Sequence, residues 1–276
     1  MKNFFSSLLQ TCVLGTLFAA ALPFTSQGQA VSVRDINNYL KKRDDGKNVS
    51  LFHRTELSYG ITFGSGALNL NDRFRDPDNS FIINGTSRST TFNYRSTSGY
   101  VGCYFPLSYI GPKSALVLNT GLYAVGNVWQ LGNLSLDGSS TSTYESADIF
   151  FGAALGVDYI FGGEATVSKD DKFTFRAGAG MMPYFSVGQL ADGSNNYAKV
   201  GVKPYIKAEI GFFAGVEWKL KGMAILGSRT IYDVKTGDYN LNDSDYYYSM
   251  NFKISPTYTV GIAVFPFSFG WQSDKW

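Results

Sequence analysis

Long segments in which apolar and polar side chains alternate are the feature that most limits how this chain can fold. The alternation is clearest between Val200 and Leu220, where every second residue is apolar and most of the others are charged, glycine or aromatic. A period of two indicates a β-strand with one apolar and one polar face. This segment is longer than the 5 or 6 residues usual for strands of globular proteins, so it predicts an unusually long strand.

The same pattern recurs elsewhere, and the chain is therefore expected to form about eight strands. The further segments are 50–64, 91–108, 115–131, 147–161, 172–188, 223–233 and 246–265. A tilted strand needs about 9 to 11 residues to cross a membrane, and these segments are long enough. The connections alternate between short and long, as in barrels with tight turns at one end. The sequence predicts an all-β fold, an antiparallel up-and-down transmembrane β-barrel preceded by a short N-terminal helix.

Local features refine the expected strand ends. A three-residue turn at 220–222 is preferred to a two-residue turn, because it directs Arg229 to the lumen and not to lipid. Changes of parity near Ser98 and Pro266 predict bulges in the second and last strands. The longer connections are predicted to be loops at 65–90, 132–146, 189–198 and 234–245.

The N-terminal region has the pattern of an export signal. Residues 1–30 are expected to be a signal peptide cleaved near Ala30, because a short apolar stretch is followed by small residues at the cleavage positions. Residues 31–47 are expected to contain a short periplasmic helix, and 48–276 the barrel. After cleavage Cys103 is the only cysteine, so no internal disulfide is expected.

Composition agrees with strands that have one face against lipid. Aromatic residues make up 16% of the chain and charged residues 17%, whereas soluble domains contain about 25% charged residues. The formal net charge of +2 gives no indication of a nucleic-acid partner.

Charged residues on the polar parity are the candidate functional residues. They are Arg54, Glu56, Asp158, Arg176, Lys203, Lys207, Glu209 and Arg229. The interior of an eight-stranded barrel is just wide enough for side chains to fill, so charges placed there have to pair. The preferred interpretation is an ion-pair network that plugs the lumen. The alternative is a narrow, slightly basic passage for small solutes.

No catalytic, cofactor or metal site is predicted. His53 is the only histidine, and its parity places it on the outer face near the periplasmic rim, away from any shared cleft. One histidine and one cysteine in the mature chain do not meet the usual ligand count of a zinc site.

Taken together, the signal peptide, the eight alternating segments and the terminal Trp276 resemble the bacterial small outer-membrane β-barrel proteins of the OmpA or OmpX type. The resemblance covers nearly all of 48–271 and rests on architecture. It implies location in the outer membrane of a Gram-negative bacterium, with outer-membrane lipid and the barrel assembly machinery as partners. Members of this class end in an aromatic residue after alternating apolar positions. Here Phe265, Phe267, Phe269 and Trp271 fit that pattern better than the terminal residues do.

The resemblance implies a structural or surface-interaction role through extracellular loops, with an extracellular partner. Three alternatives stay open: a narrow porin, a lipid-modifying enzyme, and a secreted barrel that binds a ligand in an apolar interior. Some members of the class are lipid-modifying enzymes, including a palmitoyltransferase with an amphipathic helix before its barrel, and Ser32 to Arg43 resembles that helix. The outward parity of His53 argues against the same activity here.

Overall fold

A computed structural model describes residues 50–75, 82–134, 142–189, 196–238 and 246–271. The chain divides into two units, Met1–Leu51 and Phe52–Trp276, and nearly all of the described residues belong to the second. The predicted signal peptide and N-terminal helix lie outside the described residues, and so do the cleavage site and the first residues of the predicted barrel domain. Within the described residues no helix is long and apolar enough to cross a membrane.

Ten antiparallel strands make up the second unit. They are β1 (Thr55–Arg75), β2 (Ile82–Gly111), β3 (Ser114–Leu134), β4 (Ser142–Gly162), β5 (Phe173–Gln189), β6 (Asn196–Ala214), β7 (Val216–Ile225), β8 (Arg229–Asp238), β9 (Tyr246–Ile254) and β10 (Thr257–Phe265). One four-residue helix, α1 (Gly163–Thr166), follows β4, and 3-10 turns span Leu51–Arg54 and Ser268–Gly270.

The strands close into a ring. Each strand pairs with its neighbour in the chain from β1 to β7, and β10 pairs with both β7 and β1. β8 continues β7 after a short interruption, and β10 continues β9, so the ring is eight strands wide. The predicted antiparallel barrel of about eight strands is confirmed.

The two faces of the wall are reversed relative to a soluble barrel. Ile206, Ile210 and Leu155 point outward and are 49%, 63% and 53% exposed, whereas Lys207 and Glu209, on the alternate positions of β6, are buried in the lumen. The period of two in each strand produces this separation directly, because successive side chains point to opposite faces.

The turn between β6 and β7 is not where the sequence predicted it. The chain reverses at Gly215, which has a φ of +79°, and Ala214 pairs with Val216 across the turn. β7 then runs without interruption through Lys221 and Gly222, so the prediction of a turn at 220–222 was wrong. Only glycine adopts this φ without strain, which fixes the turn at this position.

The predicted bulges are also displaced. The register between β1 and β2 is continuous through Ser98, and the shift against β3 lies between Pro106 and Ser108 instead. The last strand is interrupted at 255–256, between β9 and β10. Side chains at even positions point inward in β9, and those at odd positions point inward in β10, which ends at Phe265.

The two ends of the barrel differ. At the short-turn end are the turns after β2, β4 and β6 and both ends of the described unit. At the long-hairpin end the strands extend into the predicted loops. Much of 65–90 belongs to β1 and β2, the predicted loops 132–146 and 189–198 begin and end within strands, and 234–245 begins within β8. These loops are therefore shorter than predicted.

The long-hairpin end is built from two four-stranded sheets. The β8 sheet has the order β2–β1–β9–β8, and the β6 sheet has the order β3–β4–β5–β6. The last β2–β3 pair is Thr97 with Gly126, and no β6–β8 pair is present among the described residues. Two seams, the β2–β3 seam and the β6–β8 seam, therefore separate the sheets.

Candidate functional site: the charged lumen

One buried arginine forms the centre of the charged lumen. The guanidinium of Arg176, on β5, lies 2.6 Å from Asp158 and 2.9 Å from Glu164. It also lies 3.3 Å from Glu56 and donates a hydrogen bond of 2.7 Å to the side-chain oxygen of Asn119. A planar guanidinium has five donors, so one side chain can serve partners from several sides of the ring.

Three lysines on β6 and β7 complete the arrangement around a shared carboxylate. The ammonium of Lys219 lies 3.0 Å from Glu209, and those of Lys207 and Lys221 lie 3.4 Å and 3.7 Å from it. Lys221 also pairs with Glu56. We refer to these side chains as the lumen network: Glu56, Asp158, Glu164, Arg176, Lys207, Glu209, Lys219 and Lys221.

The lumen network is balanced in charge, with four carboxylates and four cations. Arg54 and Glu217 are buried at the same end and add one charge of each sign. Removing an ion from water costs several kcal/mol even after relaxation, so burial on this scale is stable only with close pairing and further hydrogen bonds. The lumen network provides the close pairing, because each of its members is paired with at least two charges of the opposite sign.

Glu164 reaches the network because the connection after β4 folds inward. Gly162 has a φ of +91°, and a Cβ there would lie 2.0 Å from the backbone oxygen of Phe173, so glycine is required. The chain then forms α1, and the hydroxyl of Tyr104 donates a hydrogen bond of 3.0 Å to the backbone oxygen of Glu164. A short connection thus closes part of the short-turn end from inside.

A layer of aromatic and apolar side chains lies beyond the network. We refer to it as the aromatic layer: Tyr100, Tyr123, Val125, Phe150, Ala154, Met182, Tyr205, Met223 and Ile225. Its tyrosines keep their hydroxyls bonded. That of Tyr123 lies 3.0 Å from Thr62 and 2.7 Å from Thr259, and that of Tyr100 donates to Asn119 at 3.1 Å. Buried tyrosine is stable when its polar tip has such a partner.

A second ion pair lies nearer the long-hairpin end. The guanidinium of Arg229, on β8, lies 2.7 Å from the carboxylate of Asp148, on β4. Tyr197 and Asn127 donate hydrogen bonds of 2.9 Å and 3.3 Å to the same carboxylate. Arg229 also donates a hydrogen bond to the hydroxyl of Ser186. We refer to these five residues as the upper cluster. Because Arg229 belongs to the β8 sheet and the others to the β6 sheet, the cluster joins the two sheets.

The structure places six of the eight candidate residues in the lumen network and the upper cluster. Five of them lie in the lumen network: Glu56, Asp158, Arg176, Lys207 and Glu209. Arg229 lies in the upper cluster, and the guanidinium of Arg54 lies 5.0 Å from the ring centre of Tyr104. Lys203 belongs to neither group, because its ammonium donates to the backbone oxygen of Ser228 at the β6–β8 seam.

Three charged residues of the lumen network were not among the predicted candidates. Lys219 has the lumen parity of its segment, so alternation could have identified it. Lys221 was missed because it was assigned to a turn, and Glu164 because its segment has no alternation. Only the glycine pair before Glu164 indicated a sharp change of direction.

The residues after β10 cover the short-turn end. The indole N–H of Trp271 donates a hydrogen bond of 3.0 Å to the backbone oxygen of His53, and its ring stacks on Phe213 at 6.0 Å. The ring of His53 packs against Gly270, so it does not lie on the outer face of a strand as predicted. Burial and the neighbouring charge of Arg54 lower the pKa of His53. Among the described residues, no group of three or more potential ligands is arranged to hold a metal.

No protein-family model and no curated protein matches this chain. Solved structures that it is similar to include the outer membrane protein OprG from Pseudomonas aeruginosa, with 10% identity and a TM-score of 0.35, covering 76% of this chain and 95% of that one. Another is Ail of Yersinia pestis in complex with the heparin analogue sucrose octasulfate, with 8% identity, a TM-score of 0.30, and coverage of 76% and 98%. The outer membrane protease OmpT from Escherichia coli has 9% identity, a TM-score of 0.29, and coverage of 76% and 96%. Identities and TM-scores this low do not indicate which residues of this chain act.

Proposed function

We propose that this chain is an integral outer-membrane β-barrel with a closed lumen, which acts through its long-hairpin end in a structural or surface-interaction role. The reversed exposure of the wall carries this proposal, because apolar side chains point outward and charged side chains point inward. A continuous exposed apolar belt is unfavourable in water, whereas lipid requires one. A secreted barrel that binds a ligand in an apolar interior would need the opposite arrangement.

The dimensions of the apolar belt support insertion. On β6 the exposed apolar residues extend from Val200 to Phe212, which is longer than the about 9 to 11 residues that a tilted strand needs. Phe161, Phe173 and Trp218 are exposed near the short-turn end, where an interfacial aromatic girdle is expected. The short-turn end then faces the periplasm. Outer-membrane lipid and the barrel assembly machinery follow as partners, and the predicted signal peptide would direct export.

The lumen contents support a plug. Two lumen cavities, one beside the aromatic layer and upper cluster and one beside Lys221, measure about 20 Å³ and 10 Å³. A single water needs roughly 10–15 Å³, so each has room for about one water. The side chains of the lumen network are buried and paired with one another. This arrangement favours a closed lumen over the narrow porin.

The long-hairpin end supports a role outside the membrane. On the β1–β2 hairpin, Ser87 donates a hydrogen bond of 2.7 Å to the side chain of Asn71, and Ser89 donates one of 2.8 Å to Asn69. These exposed polar pairs continue the strands with a surface suited to water and not to acyl chains. We propose that this protruding β-surface meets an extracellular partner.

We also propose that the protein is not an enzyme. The ring of His53, the only histidine, packs against Gly270 at the short-turn end, and its backbone oxygen accepts a hydrogen bond from Trp271. The carboxylates of the lumen network and upper cluster are held in ion pairs with lysine or arginine, so they are not poised as general bases. This argues against the lipid-modifying alternative.

Nitroxide labels can test the membrane orientation. Single cysteines at Ile206, Ile210 and Leu155, in a Cys103→Ser background, should collide with oxygen far more than with a water-soluble nickel complex in lipid bilayers. A label at Ser89, exposed beyond the apolar belt, is the matched control and should show the opposite preference. Preference for the nickel complex at all four positions would contradict insertion.

A further inference from the structure

Backbone pairing is missing between β6 and β8, and two residues determine where the gap in the barrel wall begins. The backbone N–H of Leu226 donates a hydrogen bond of 2.8 Å to the oxygen of Pro204, but proline has no N–H with which to return a bond. Gly227, with a φ of +79°, then turns the chain before β8 begins. Among the described residues β8 pairs only with β9, so the β6–β8 seam starts at Pro204.

The seam begins within the apolar belt. Val200 and Val202 flank it on β6 and point outward, with 77% and 54% of their surface exposed. In the proposed membrane orientation, this part of the seam therefore faces lipid and not only water. An amphiphile moving within the outer leaflet can reach the edge of β6 there.

A cation lies behind the opening. Lys203 has lumen parity, and its ammonium contacts the backbone oxygen of Ser228 on the far side of the seam. None of the ion pairs among the described residues includes Lys203, whereas the cations of the lumen network and upper cluster all have carboxylate partners. An ammonium whose one hydrogen bond among the described residues goes to a carbonyl is poorly compensated, so an anionic group would stabilise it.

The cavity beside Lys203 supplies a second polar contact. Asn127 is 3% exposed and lines this cavity, and its side-chain oxygen has no hydrogen-bond partner. Phe150 and Ile225 form apolar walls opposite. A buried acceptor without a donor is costly, and a hydroxyl group would satisfy it.

We propose that the β6–β8 seam binds a single-chain anionic amphiphile whose head group also carries hydroxyls. The anionic group binds Lys203, a hydroxyl donates to Asn127, and the acyl chain lies outside along Val200 and Val202. The cavity of about 20 Å³ holds about one water, so the head group enters only when the seam widens. Widening breaks no backbone ladder, because none joins β6 to β8. This inference rests on the proposed membrane insertion.

Binding can be measured with lysophosphatidylglycerol, whose head has one negative charge and free hydroxyls. Lysophosphatidylcholine of the same chain length is the matched probe without net charge. Native mass spectrometry of the full chain in neutral detergent should show about tenfold tighter binding of the anionic lipid. Lys203→Gln should remove that preference, whereas Lys253→Gln, which removes an exposed lysine on β9, should preserve it.

Widening can be measured separately by dipolar broadening between nitroxide pairs. Labels at Val202 and Thr230, across the seam, should separate when the anionic lipid is added to the Cys103→Ser protein. Ile206 and Ala224 are register partners in the β6–β7 ladder, so the same labels there should not separate.

Several outcomes overturn the proposal. Equal affinity for the two lipids, or an unchanged preference in Lys203→Gln, would show that Lys203 does not recognise the charge. Binding of glycerol phosphate as tight as that of the lipid would indicate a soluble anion site, and an unchanged seam at saturation would contradict widening. If the labels at Ile206, Ile210 and Leu155 are lipid-exposed and none of these effects occurs, this inference fails while the membrane barrel stands.

Discussion

The two halves of this barrel are closed by different means. At the short-turn end, backbone ladders run around the whole ring, and the lumen network joins β1, β4, β5, β6 and β7 from inside. At the long-hairpin end the ring splits into two sheets. There the ion pair between Arg229 and Asp148 bridges the β6–β8 seam.

The two clusters also differ in how far the loss of one side chain affects the others, because they share ion-pair partners to different extents. In the lumen network, Arg176 and Glu209 each contact several opposite charges, so removing one weakens the pairing of several others at once. In the upper cluster, Asp148 keeps donors from Tyr197 and Asn127 even if its cation is lost. We therefore expect mutations to act globally in the first half and locally in the second.

The largest expected effect is the loss of the central arginine. Arg176→Met keeps an unbranched apolar chain but leaves Asp158, Glu164 and Glu56 without their shared cation. Breaking a buried ion pair from one side typically costs 3–5 kcal/mol, and we expect a loss of about that size in the free energy of unfolding. Urea unfolding in lipid vesicles, followed by tryptophan fluorescence, measures it.

A surface pair provides the control. Lys113 forms an ion pair with Asp171 in the turn region of the short-turn end, where its side chain is largely exposed. Lys113→Met should change the same free energy by less than about 1 kcal/mol. If the two substitutions destabilise the protein equally, the lumen network does not hold the short-turn half together.

A smaller effect is expected on conductance, and it tests which half seals the lumen. Wild-type protein in planar bilayers should carry little or no steady current. Glu209→Ala leaves the lumen network with four cations and three carboxylates, and the excess positive charge should admit water and give a small current favouring anions.

The matched control is Asp148→Ala, which removes a carboxylate from the upper cluster. The lumen network below it stays intact, so this variant should carry no more current than the wild type. Folding of each variant can be checked by its heat-modifiable migration on gels. A steady wild-type current would contradict the plug and favour the narrow porin, and a larger current in Asp148→Ala would place the seal in the upper half.

Much of the fold was predictable because alternation determines which face of a strand is buried. It correctly separated Ile206 and Ile210 from Lys207 and Glu209. It failed where side chains are amphipathic. The bulge predicted near Ser98 depends on counting Tyr94 with the outward side chains, but Tyr94 points into the lumen, where its hydroxyl lies 2.8 Å from that of Thr257. Tyrosine suits either face, so its parity alone cannot decide.

The candidate site was predictable only where its residues lie on regular strands. Parity identified Glu56, Asp158 and Arg176, but it could not separate the lumen network from the upper cluster, since that depends on height in the barrel. Parity also could not locate the turn after β6. Inward residues occupy odd positions on both sides of Gly215, so the alternation continues through the reversal without a break.

The smallest expected effect distinguishes the observed turn from the one that alternation suggested. Gly215 has a positive φ, yet a Cβ there would meet no atom within 4 Å, so Gly215→Ala can be unfavourable only through the backbone. We expect it to lower the free energy of unfolding by about 1 kcal/mol. Gly222 lies inside β7 without a positive φ, and a Cβ there would sit 3.8 Å from the nearest atom, an oxygen of Ala208. Gly222→Ala should therefore be neutral or stabilising by about 0.5 kcal/mol, because alanine suits a strand better than glycine does. The same urea titration compares the two variants. If Gly222→Ala were the costlier substitution, the chain would reverse at 220–222, and Lys221 would leave the lumen network.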